Sequence, residues 1–146
     1  MSKSNAYENA LLLLVFNNTN IANVGDATGL RGSSTAGNLY YSLHTSDPGE
    51  AGSQTTNEIS YTGYARVAGA RSGAGFTVTA NSVSPAATVT FGQMTAGAGG
   101  TVTHFGIGTD SSGAGTLLYS GTVTANIAVA NGVTPQLTTA SAITED

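Results

Sequence analysis

Two kinds of apolar pattern divide the chain. Over residues 5–16 apolar side chains recur at helical spacing, and after residue 38 they alternate with polar ones at a period of two. The first stretch predicts the chain's one helix. Asn5 is its candidate cap, and Glu8, three positions on, is placed to close a capping box. Tyr7, Leu11, Leu14 and Val15 then share one face, and Asn17 and Asn18 suit the left-handed turn that ends helices. A helix this short is marginal alone, so its leucines are expected to dock on the rest of the fold.

Between the two regimes, residues 17–38 are rich in Gly, Asn, Ser and Thr, with Ile21, Val24 and Leu30 isolated among them. Irregular segments longer than about 12–15 residues in compact domains are usually functional or disordered. This one reads as a contact arm, with Ile21, Val24, Leu30 and Arg31 as its expected assembly contacts.

Short strands follow. Leu39, Tyr41 and Leu43 alternate with Tyr40, Ser42 and His44, and Ser46, Asp47, Pro48 and Gly49 form a turn in which Asp47 bonds back to the backbone. Further strands are expected over residues 64–70, 76–79, 88–91 and 102–107. Two more are expected over 116–124 and around Ile127 and Val129, and a weak last one around Leu137 and Ile143. Asp110 to Gly113 and Asn131-Gly132 supply turns. Turn-bounded strands with no helix between them exclude a parallel α/β sheet. The expected fold is all-β: an antiparallel β-sandwich or jelly roll with one short N-terminal helix, in a single domain over residues 1–146.

Composition narrows the function. Charged residues make up 8% of the chain, which carries four Lys and Arg, two His, no Cys and no Trp. Catalytic and metal sites concentrate titratable side chains, and this chain has almost none to concentrate. The net charge of −4 gives no footprint for nucleic acid or anionic lipid. The apolar run from Ala10 to Phe16 is far short of the roughly 20 residues that span a bilayer, and it reads as a docked helix, not a cleaved leader.

Candidate chemistry is thin. His44 is expected to point off the core face, and both it and His104 read as ordinary strand residues without the spacing of metal ligands. Asp47, Glu50 and Glu58 gather near one turn, yet they lack any calcium-loop spacing and read as solvated acids. Gly106-Ile107-Gly108 follows a strand but opens no helix that could seat a phosphate. No nucleophile elbow or zinc-protease motif occurs. Arg31, Arg66 and Arg71 are expected to anchor carboxylates or carbonyls, possible pairs between subunits included. These observations imply no catalytic residue, no cofactor and no metal.

Several segments carry a family likeness. Residues 7–12, Leu39 to Leu43 leading into His44-Thr45-Ser46-Asp47-Pro48-Gly49, residues 57–67, 101–108, 117–121 and 130–135 together cover nearly the whole chain. In this order they resemble a family of small tailed-bacteriophage virion proteins, commonly labelled tail-fibre or minor structural proteins. The Leu-His-Thr-x-Asp-Pro-Gly segment is the most specific piece. Similar small β-rich phage proteins act as capsid cement, sitting as trimers on the outer shell.

The resemblance implies a non-enzymatic virion structural protein made in the bacterial host cytoplasm. A compact domain with no internal repeat suits head-shell decoration, bound to the major capsid protein or other virion proteins on the capsid exterior as a homo-oligomer, a trimer in this expectation. The alternative is a tail- or head-fibre component, with Tyr40, Tyr41, Tyr61 and Tyr64 as a platform for glycans. Neither nucleic acid nor membrane is an expected partner.

Overall fold

The computed structural model describes residues 3–145. The helix α1 (Asn5–Asn17) is capped by Ser4, which has extended backbone angles and accepts from the Tyr7 amide. The cap therefore lies one residue before the expected Asn5. Glu8 falls one place too late to close a capping box and is buried instead. Asn18 ends the helix in the left-handed conformation, as expected of an Asn there.

The buried stripe is Glu8, Leu12 and Phe16, not the expected face of Tyr7, Leu11, Leu14 and Val15. Tyr7 is exposed, and Val15 is only partly buried. Five consecutive apolar residues, Leu11 to Val15, leave the facing undecided by periodicity. Phe16 decides it: its ring lies 5.0 Å from that of Phe76 and 5.3 Å from that of Tyr119. Aromatic contacts at these distances add to the area that the ring buries.

Nine strands follow among the described residues: β1 (Asn38–His44), β2 (Val67–Ala70), β3 (Phe76–Thr79), β4 (Ser82–Pro85), β5 (Val89–Thr90), β6 (Gly100–Gly108), β7 (Leu117–Val129), β8 (Gln136–Leu137) and β9 (Ile143–Thr144). They form an antiparallel sheet of order β2-β1-β6-β7, a second of order β3-β4-β9, and the small pair β5-β8. Buried residues of the helix and all three sheets make one core, in which Tyr41 of the first sheet stacks on Phe76 of the second at 5.3 Å. The fold is the expected all-β sandwich with one short helix.

Several strands differ from expectation: the one expected over 64–70 begins only at Val67, where Tyr64 and Arg66 instead turn to Glu58, and the one over 88–91 is Val89–Thr90. β4 was not foreseen, because Ala80-Asn81 is a tight turn without the usual glycine signal; Ala80 adopts a positive φ of 53°. The two strands expected between residues 116 and 129 run as one element, β7. The break between them survives as a bulge: His104 pairs with Thr122 and Val102 with Ile127, so four residues of β7 lie opposite Thr103 alone. Leu137 and Ile143 belong to separate two-residue strands, β8 and β9.

Residues 18–37 are not a free arm. Ile21 and Leu30 exchange both backbone hydrogen bonds at 2.9 Å, closing a small loop at the tip. Asn18 clamps Ser33 from both sides, accepting from its amide at 2.7 Å and donating to its carbonyl at 2.8 Å. Arg71 ties the segment to the helix: its guanidinium donates to Leu14 O at 2.8 Å and Val15 O at 2.7 Å, and to Ser33 Oγ and Ala36 O. A cation on the last carbonyls of a helix also complements the negative end of the helix dipole.

Candidate functional site

Two polar clusters brace the loops at one end of the sheet. In the first, His44 is fully buried, contrary to its expected place off the core face. It lies on β1, between β2 and β6, and the loop carrying Thr56 covers it. A carbonyl can only accept, so Nδ1 donates to Thr56 O at 2.8 Å and Nε2 accepts from Ser42 Oγ at 2.8 Å. Burial holds the imidazole below its ordinary pKa, although the Thr56 carbonyl and Glu58 favour the charged form.

Gly106 and Gly108 of β6 make room for this arrangement. A Cβ on Gly106 would stand 2.7 Å from His44 Nε2, Ser42 Oγ and Leu117 Cδ1, and one on Gly108 would enter the Gln54 side chain. The Gly-x-Gly sequence thus marks close approach within a strand, not a ligand loop.

The second cluster joins Glu58, Tyr64 and Arg66. Arg66 forks onto Glu58, Nε to Oε1 at 2.8 Å and Nη2 to Oε2 at 2.7 Å, and donates to the carbonyls of Asp110 and Gly113. The Tyr64 hydroxyl donates to Glu58 Oε1 at 2.8 Å and accepts from the Leu43 amide at 3.1 Å. Burial keeps the phenol protonated far above its ordinary range. Every group is engaged within the chain, and the net effect is to lock the loop at Asp110 to Gly113 onto β1 and the segment before β2.

Arg66 and Arg71 are thus the expected anchors, and both anchor within the chain. Asp47 accepts from the Gly49 amide at 2.9 Å, as the turn predicted, while Glu58 turns inward to Arg66; the three acids do not converge. Among the described residues no group of three or more His, Cys, Asp and Glu is placed to hold a metal ion. Among them, too, no helix is long and apolar enough to cross a membrane. The proposed glycan platform is dismantled: Tyr41 and Tyr61 are buried, Tyr64 is spent on Glu58, and Tyr40 is half-buried.

The surface offers a different site. Of the four expected contact residues, Ile21 is withdrawn at 7% exposure by its pairing with Leu30. Val24 and Leu30 are both 42% exposed, and Arg31 is exposed beside Leu30. Arg31 opens onto a groove of about 400 Å³ walled by the helix end at Leu14 and Val15, by Leu39 and by Leu118 of β7. Leu118, which falls within the family likeness but was given no contact role from the sequence, also walls a second hollow of about 300 Å³. That hollow carries Asp47 and Glu50. The structure therefore sets a basic groove and an acidic hollow on either side of one exposed leucine.

The family model described as podophage GP4 fiber I protein gp80 matches residues 2–144 of the chain. No curated protein matches it.

Proposed function

We propose that this chain, which belongs to the podophage GP4 fiber I protein gp80 family, is a non-enzymatic structural subunit of a fibre-type appendage of a phage virion. The match over residues 2–144 carries this reading, because it spans nearly the whole of the chain's 146 residues. The internal polar chemistry supports it. The clusters around His44 and Arg66 are satisfied by side chains and carbonyls of their own loops, so they stiffen a scaffold.

The family description favours an appendage over the head-shell decoration that compactness suggested, and in either place the protein is part of the virion. The subunit works as a homo-oligomer, a trimer in this reading. The exposed Val24 and Leu30 face other virion proteins, the major capsid protein among them if the appendage is rooted on the head. Attachment rests on these apolar side chains and on backbone groups of the 18–37 segment, with little dependence on salt.

Immunogold electron microscopy of intact virions tests this, together with separation of empty heads from tails and fibres. Label on fibres, and cofractionation with them, is the expected result. Uniform label over purified empty heads overturns the appendage reading in favour of decoration.

A further inference from the structure

The described surface is poor in charge, and its cations are largely spent inside the chain. Lys3 pairs with Glu145 at 3.1 Å, Arg66 is forked onto Glu58, and Arg71 is held by carbonyls. Arg31 is the exception: its guanidinium meets no hydrogen bond or ion pair among the described residues, and it stands at the groove walled by Leu118. Across Leu118, the neighbouring hollow presents Asp47 and Glu50.

The strand beneath adds a second feature. β7 is the outer strand of the four-stranded sheet, with hydrogen-bonded neighbours on one side only. Long edges are normally guarded against pairing with another chain by Lys, Pro, inward charges or bulges. Residues 117–129 contain no Lys, Arg, Asp, Glu or Pro. Register irregularities mark both halves: four residues lie opposite Thr103, and Leu118 is left over between Tyr119, opposite Ile107, and Leu117, opposite Gly108. The regular stretch of this outer edge is Tyr119 to Thr122, and Leu118, bulged at its start, is 37% exposed. The opposite edge, β2, is only four residues long.

We propose that the surface centred on Leu118 and the adjoining outer edge of β7 seats a second copy of this chain, with Arg31 of one copy facing Asp47 and Glu50 of the next. A second copy is the occupant because the patch carries its own complement, a basic groove and an acidic hollow on either side of a shared apolar centre. A chain of net charge −4 has no general electrostatic attraction to its own kind. It is drawn to itself where Arg31, unspent among the described residues, meets acids. Setting the basic groove of one copy on the acidic hollow of the next is a head-to-tail contact, which closes into a ring such as the proposed trimer when its rotation allows. The inference rests on the fibre reading for its biological setting, but its test uses the purified protein.

Sedimentation velocity and light scattering on the full chain read the outcome. Wild type is expected as a homo-oligomer of the 14.5 kDa chain. Leu118→Asp and Arg31→Glu are each expected to shift the mass to that of the monomer, with far-UV circular dichroism unchanged, because both side chains are at the surface. Combining Arg31→Glu with Glu50→Arg in one chain restores opposite charges across the contact and is expected to recover the oligomer. The inference is overturned by an oligomer untouched by either single substitution, by a double swap that assembles no better than Arg31→Glu, or by a wild type that is monomeric at all concentrations. Location of the protein in virions decides the fibre reading separately, whichever of these results is found.

Discussion

Glu58 and Arg66 meet as a two-pronged ion pair, 2.8 Å from Nε to Oε1 and 2.7 Å from Nη2 to Oε2, with the arginine side chain only 3% exposed. Both stand before β2 in the chain, yet the pair reaches across to the loop at Asp110 and Gly113 and, through Tyr64, to the Leu43 amide of β1. A charge enclosed to this degree is tolerable only while its partner is present.

Removing one member should therefore cost more than an exposed ion pair is worth. Arg66→Ala leaves the Glu58 carboxylate and two carbonyls without their donor, and a loss of about 3–5 kcal/mol is expected, as for breaking other buried pairs. Chemical denaturation measures it. A loss under about 1 kcal/mol would mean that the pair behaves as a surface bridge.

Gly106 is required by proximity. A methyl group there meets His44, Ser42 and Leu117 at 2.7 Å, with the ring and hydroxyl already hydrogen-bonded to each other. Gly106→Ala is expected to destabilise by about 1–3 kcal/mol, the usual cost of overpacking a core. Gly73→Ala, where the added carbon meets nothing within 4 Å, serves as its control and should be close to neutral.

The buried His44 gives stability a pH dependence of defined sign. Its ordinary value is 6.5, and burial lowers it in the folded state. As pH falls below 6.5, the unfolded chain takes up a proton that the folded chain refuses, so stability is lost from there down to the lowered folded pKa. Above 6.5 this residue contributes no slope. Urea titrations at a series of pH values should show the decline in wild type, and a shallower one in His44→Asn. Equal slopes in the two proteins would assign the acid sensitivity to other groups.

Much of this fold could be read from alternation and turn chemistry. Phe76 to Thr79 was found to the residue, and Asp47 and Asn18 do what their positions suggested. Reading failed where periodicity carried no choice. Leu11 to Val15 are apolar on every side, so only the rings of Phe76 and Tyr119 select Phe16 and Leu12 as the buried stripe. His44 alternates as a surface residue would, and is buried by a loop that the strand pattern does not contain. Of the proposed contact surface, Arg31 was among the residues expected to make contacts. Leu118 was not, because its significance comes from the edge position of β7, a property of sheet order.

Arg71 is the residue on which the 18–37 segment depends, and its role separates charge from geometry. Its guanidinium reaches the carbonyls of Leu14, Val15 and Ala36 and the Ser33 hydroxyl from one side chain, all between 2.7 and 3.2 Å. A planar fork with five donors can span helix end and loop together; an ammonium group on a flexible stem cannot hold both. Arg71→Lys should therefore fail almost as fully as Arg71→Ala, although it keeps the charge beside the helix terminus. Because the carbonyls left behind can in part be reached by water, the global cost is expected to be modest, about 1–3 kcal/mol. The local effect should be larger: in limited proteolysis, both variants should be cut within residues 22–36 well before the sheet is attacked, while wild type resists. If Arg71→Lys protects that segment as well as wild type does, the helix dipole and not the fork is what holds it.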